Sequence, residues 1–161
     1  MAYLLDANVF IEAKNTYYGF DFCPGFWEWI SAAHDDGRVF SIEKVGDELL
    51  ALEDELAVWA RRRPDGFFLK PDGPLVASLQ VASSWANSGE YEPAAVTSFL
   101  QAADYYLVAH AHAHGHVVVT REVITDSVKK IKIPNACIGL GVKCMNPYEM
   151  LRSEKARFVL P

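Results

Sequence analysis

Four acidic residues in this chain are placed so that their carboxylates could converge: Asp6 after the apolar run Tyr3-Leu4-Leu5, Glu48 and Asp104 within helical patterns, and Glu122 just beyond His116-Val-Val-Val-Thr120. Carboxylates gathered at one rim repel and stay partly protonated unless a hard divalent cation neutralises them. All-oxygen ligation favours Mg²⁺ or Mn²⁺, ions that activate a water and steady a phosphoryl oxygen during in-line displacement.

Each acid also has an ordinary explanation. Asp6 precedes Ala7-Asn8, so it is either an N-cap or, with the Asn8 amide oxygen, one edge of a site. Glu48 belongs to a pattern in which Val45, Leu49, Leu52, Leu56 and Trp59 recur at helical spacing, and it lies roughly 60° from the centre of that stripe, nearer the core than Asp47 or Asp54. Its alternative is a half-exposed glutamate at the stripe's edge. Asp104 has Leu100, Leu107, Val108 and Ala111 as helical neighbours. Such an acid needs compensation, from a bound cation or from an Arg or Lys. Glu122, with Thr120 to orient it, and Asp126 four residues further on are both loop acids, and either completes the set.

The elements that must hold these residues follow from periodicity and punctuation. Tyr3–Leu5 reads as a buried strand, Pro24–Ala33 as a helix with proline near its start, and Val39-Phe40 as a short strand. Ser41 is expected to cap one long helix to about Arg63, closed by Pro64. Phe67–Leu69 is a strand, Leu75–Ala86 a helix, and Pro93–His114 a single helix stopped by Gly115. His116–Thr120 follows as a strand and Asn135–Ile138 as a weaker one. Alternating strands and helices specify an α/β fold with a mainly parallel central sheet and helices on both faces. Ligands in such sheets sit beyond the carboxyl ends of the strands, which is where Asp6 and the segment Thr120-Arg121-Glu122 fall.

The chain of 161 residues, about half apolar, is expected to form a single domain, residues 1–161. No apolar run reaches the ~20 residues of a membrane span, and the N-terminus lacks a secretory pattern, so the expectation is a cytoplasmic protein without membrane association. Cys23, Cys137 and Cys144 are widely spaced and expected to be reduced thiols. A formal net charge of −6 argues against broad nucleic-acid binding but not against a local phosphate site assembled on cations.

The segments "LLDANVF", "VGDELLALEDEL", "AADYYLVAHA" and "VVVTRE", in this order, resemble the four motifs of the PIN-domain metal-dependent nucleases, the fold of VapC-type toxins. "KIKIPNACIGLGV" and "NPYEML" are similar to that fold's closing strand and terminal helix. The resemblance implies a Rossmannoid three-layer α/β/α domain with Asp6, Glu48, Asp104 and Glu122 as catalytic metal ligands and Asn8 and Thr120 in support. Glu122 departs from the aspartate often found there, which keeps Asp126 in consideration. The implied activity is Mg²⁺- or Mn²⁺-dependent hydrolysis of RNA phosphodiester bonds by the toxin of a bacterial toxin–antitoxin pair, with an antitoxin and a second copy of the chain as partners. The alternatives are a Rossmann-like phosphatase with Asp6 as nucleophile and a non-catalytic RNA- or protein-binding module of the same fold.

Lys129, Lys130 and Lys132 follow the Glu122 loop and are the expected RNA contacts, whereas Arg61-Arg62-Arg63 is explained by a helix C-terminus. "HAHAHGH", residues 110–116, looks like a metal tract. Yet His114 lies ten residues past Asp104, roughly 15 Å along a helix, so the two cannot share an ion. His110 and His114 are spaced to chelate with a third ligand, but imidazoles at a helix C-terminus are also favoured by its dipole.

Overall fold

The computed structural model describes residues 1–160 and contains five strands, all parallel, in the spatial order β3-β2-β1-β4-β5. The strands are β1 (Tyr3–Leu5), β2 (Val39–Ile42), β3 (Phe68–Leu69), β4 (Val117–Val119) and β5 (Cys144–Met145). β1 and β4 are neighbours at the centre, with Tyr3 opposite Val117 and Leu5 opposite Val119. Both are buried along their whole length, as expected for strands covered on two faces, and this explains why they read as unbroken apolar runs.

The helices are α1 (Ala7–Glu12), α2 (Pro24–Asp35), α3 (Glu43–Leu50), α4 (Glu55–Arg61), α5 (Gly73–Ser88), α6 (Pro93–Gln101), α7 (Ala103–His114), α8 (Ile133–Leu140) and α9 (Pro147–Ser153). α5, α6, α7 and α8 pack on one another. α1, α2 and α4 are joined by aromatic contacts, Phe10 to Trp59 at 5.5 Å and Trp27 to Trp59 at 4.9 Å between centroids. With both groups flanking the sheet, the fold is the three-layer α/β/α arrangement that its pattern predicts. Among the described residues no helix is long and apolar enough to cross a membrane.

Three expected elements differ. The helix from Ser41 to Arg63 is two helices: Glu53 takes a left-handed φ of 54°, and Asp54 opens α4 by accepting the Ala57 N–H at 3.0 Å. Ser41 is no cap. It lies in β2, fully buried, and donates to the Leu5 carbonyl at 2.6 Å. The helix from Pro93 to His114 is also two, divided by Ala102 in an extended conformation, so Leu100 and Asp104 do not share a helix. Asn135–Ile138 lies in α8 rather than in a strand, opened by Pro134 in its first turn and ended by Gly141 in the left-handed region. The closing strand is β5 instead, while the terminal helix, α9, falls where "NPYEML" places it. Gly115 ends α7 with φ 70° as expected.

Close approach fixes α3. A Cβ on Gly46 would lie 2.9 Å from the Phe68 ring, so only glycine lets this helix rest so near β3.

Candidate active site

Asp6 is the first residue beyond β1, 4% exposed, at the C-terminal rim of the sheet. It stands at the N-cap position of α1, yet its side chain caps nothing. Instead Oδ2 accepts the Thr120 hydroxyl at 2.9 Å, and its backbone N–H donates to the Val119 carbonyl at 2.9 Å. The Ser41 bond to Leu5, one residue earlier, ties the same corner to β2. A strand end tied to both neighbours is a rigid mounting for a carboxylate.

Asp104 sits in the first turn of α7, half-buried, where free helix N–H groups favour an anion. Its carboxyl is nevertheless pushed up to about 6, by burial first and then by the charges of Glu122 and Glu48, against a smaller pull from Lys130. Asp6 is pushed up further, to about 7, by burial and then by Asp104, with the Thr120 bond opposing the rise and Glu122 adding to it. Glu48, on α3, is exposed rather than turned toward the core as its spacing predicts, although partial desolvation of its carboxyl raises its pKa. Among the described residues no Lys or Arg forms an ion pair with Asp6, Glu48 or Asp104. The ordinary explanation of Asp104, a salt bridge, is therefore absent.

Glu122 lies close enough to raise both aspartates, but its oxygens are engaged. Its backbone N–H donates to Thr120 Oγ1 at 3.1 Å, Oε1 accepts the Ile133 N–H at the start of α8 at 2.9 Å, and Oε2 is 3.9 Å from Lys132 Nζ and 4.0 Å from Lys130 Nζ. Accordingly, among the described residues no three His, Cys, Asp or Glu side chains, as placed, stand within reach of one ion. Asp126 is exposed and is not among the charges acting on Asp6 or Asp104. Asn8 is exposed on α1. Lys129 and Lys130 line a cavity of about 370 Å³ with Asp104, so two of the three lysines border the same space as one of the acids.

The rim also contains residues that sequence reasoning does not single out. The Arg121 guanidinium lies 4.1 Å from the Tyr17 ring centroid and 5.4 Å from that of Tyr148. Tyr17 and Tyr148 are too far apart in the chain for spacing to connect them, and Arg121 beside Thr120 is the only local signal.

The histidines are at the other end of α7. His114 Nε2 is 2.7 Å from Asp72 Oδ2, His112 Nδ1 2.8 Å from Ser78 Oγ, and His116 Nδ1 accepts the Ala2 N–H at 3.2 Å. His110 is buried, its pKa lowered by desolvation, with Nδ1 lacking a partner. None contributes to the acidic rim.

The family model described as "Domain of unknown function (DUF4411)" matches residues 3–158. No curated protein matches the chain. Two solved structures resemble it. The crystal structure of FitAcB from Neisseria gonorrhoeae is 23% identical with a TM-score of 0.55, over 91% of this chain and 98% of that one. The structure of FitAB bound to IR36 DNA fragment is 22% identical with a TM-score of 0.55, over 91% of this chain and 95% of that one. At these identities the likeness is one of fold, the PIN-like arrangement expected from the four motifs.

Proposed function

We propose that this chain, which belongs to the DUF4411 family, is a metal-dependent endoribonuclease that hydrolyses RNA phosphodiester bonds. One observation carries the reading. Asp6 stands at the carboxyl rim of a parallel sheet with Asp104 near enough to raise its pKa, both acids are raised by burial and by neighbouring carboxylates, and neither is paired with a cationic side chain among the described residues. Stacked negative charge of this kind is what a hard divalent cation relieves.

The chemistry of the donors, oxygen only, suits Mg²⁺ or Mn²⁺. Asp6, Asp104 and Glu48 would draw closer around an ion than they stand without one, with Glu122 joining on release of the Ile133 N–H. When bound, such an ion supplies a water of lowered pKa and neutralises charge on phosphoryl oxygens. The chain's own residues do the rest. Thr120 holds the Asp6 carboxylate through its hydroxyl, Asp6 and Asp104 act in their ionised forms, and Asn8, exposed on α1, is the candidate supporting amide. Lys129, Lys130 and Lys132 take the RNA backbone beside the acids, which gives an acidic protein a local phosphate site.

The shared fold with the FitAcB and FitAB structures supports the finer reading, a VapC-like toxin of a bacterial toxin–antitoxin pair neutralised by an antitoxin protein; action in the cytoplasm as a homodimer belongs to the same proposal. The engagement of Glu122 by Ile133 and the lysines favours a second reading, a non-catalytic RNA- or protein-binding module. Incubation with single-stranded RNA in Mg²⁺, Mn²⁺ or chelator, with mapping of new 5′ ends, tests both. The nuclease gives metal-dependent ends that Asp6→Asn abolishes. Metal binding without cleavage of any RNA indicates the module, and a phosphoenzyme trapped on Asp6 indicates a phosphatase.

A further inference from the structure

We infer that the cavity beside the acidic rim, between the β4 end, α8 and α9, is a subsite for one unpaired nucleobase of the RNA, adjacent to the cleaved phosphodiester. This rests on the nuclease reading and goes beyond it.

The cavity measures about 470 Å³, within the range of pockets that enclose small ligands, and its edge is formed by Thr120 and Glu122 of the rim itself. A group seated in it therefore lies next to whatever the acids act on. Its other walls are aliphatic and open: Val123 is 74% exposed, Ile138 67% and Ile124 59%. Exposed apolar residues gathered around one concavity are unusual unless something covers them.

The polar part of the lining indicates what does. Arg121 and Tyr148 both border the cavity. Its other polar residues include Asn146, Glu149, whose Oε1 accepts the Asn146 amide at 2.7 Å, and Glu122, held by the Ile133 N–H. The Arg121 guanidinium lies over Tyr17 at 4.1 Å and beside Tyr148 at 5.4 Å, with Nη1 3.5 Å from the Tyr148 hydroxyl. Restrained in this way, Arg121 presents a flat cationic surface rather than a mobile point charge. Arginine planes and aromatic rings are the surfaces on which unpaired bases stack, and aliphatic walls accept the remaining base face. An apolar peptide would use the aliphatic wall and leave the guanidinium without a partner. The guanidinium, the tyrosines and the common edge with the acids select a nucleotide.

The lysines complete the path. Lys129 and Lys130 border the separate cavity on the Asp104 side, so the rim lies between a cationic groove and the base subsite. A single strand crossing the rim would place phosphates on the lysines, the scissile bond at the acids and one base beside Arg121.

The test is a binding cycle read by fluorescence anisotropy. It uses the cleavage-deficient Asp6→Asn chain, a short single-stranded RNA spanning a mapped cleavage site, and the same RNA with an abasic residue at each position in turn. The second arm adds Val123→Gln with Ile138→Gln, neutral changes at exposed positions, with melting temperature reporting the fold. The expected result is that one abasic position next to the cleavage site weakens binding about tenfold. The Gln pair should weaken intact RNA to a similar degree and leave that abasic RNA unaffected. Equal losses for intact and abasic RNA, or none, overturn the subsite, as does loss of a protein partner's binding with RNA affinity unchanged. Wild-type cleavage alongside an additive cycle removes the subsite alone. If the wild type neither binds nor cuts RNA, the nuclease reading falls with it.

Discussion

Thr120 and Asp6, separated by 114 residues, are joined by a buried hydrogen bond of 2.9 Å from Oγ1 to Oδ2. The same oxygen accepts the Glu122 N–H at 3.1 Å, so one hydroxyl fixes both the carboxylate of one strand end and the turn leading out of the other.

Replacing Thr120 by Val keeps the shape and removes this bond. The expected cost is about 1–3 kcal/mol of stability, because Asp6 and the Glu122 N–H both lose a partner where water is scarce. The Asp6 pKa should rise further, since the hydroxyl now lowers it. Chemical denaturation and the pH dependence of cleavage measure the two effects, and a Thr120→Ser chain should restore most of both.

Asp104→Asn should lower cleavage about a hundredfold or more, as loss of a group held at a metal site does, while leaving the fold intact. In chelator its melting temperature should equal or exceed that of the wild type, because an unpaired, half-desolvated charge has been removed. Full activity at matched metal would take Asp104 out of the mechanism.

The metal-free protein should lose stability as pH rises. Asp6 and Asp104 have folded-state values of about 7 and about 6, above those of an unfolded aspartate, so between about pH 4 and pH 7 the native state holds more protons than the unfolded one. Their contribution to the slope of stability against pH is therefore negative in that window and flat above it. Asp6→Asn should flatten the curve in calorimetric scans. An unchanged curve would mean that the carboxyls titrate alike in both states.

Millimolar Mg²⁺ or Mn²⁺ should raise the melting temperature, most strongly above pH 7 where both aspartates are ionised. An ion at a hundred times its dissociation constant adds about 2.7 kcal/mol to the native state. No shift, together with full cleavage in chelator, would reject the carboxylate site.

Changing His112, His114 and His116 to Gln should leave Mg²⁺-dependent cleavage within about twofold, since their partners Ser78, Asp72 and Ala2 lie away from the acids. At His112 and His114, on α7, helix propensity favours the change slightly, and at His116, beyond the helix, the loss is that of the bond to the Ala2 N–H. A folded triple variant without cleavage would place the tract in the active centre.

How far the sequence could be read depended on the kind of signal. Buried parallel strands leave unbroken apolar runs, so β1 and β4, and with them Asp6, Thr120 and Glu122, were visible at once. The breaks at Glu53 and Ala102 were not, because apolar spacing continues across them and neither position is glycine or proline. α8 had its signals, Pro134 and Gly141, but its short apolar stretch has the length of a strand. The engagement of Glu122 by the start of α8 and the stacking of Arg121 on Tyr17 and Tyr148 are long-range contacts, which no local window contains.

The pairing of β1 with β4 also bears on biosynthesis. Because Tyr3–Leu5 closes against Val117–Val119, a growing chain exposes Asp6 long before the strand that fixes it has been made. Contacts of such sequence separation form late and slowly. The acids cannot therefore be brought together while β4 is still inside the ribosome, and a chain with the activity proposed here would stay inert until β4 has emerged and paired with β1. A partner that restrains such an activity would have until that pairing to arrive.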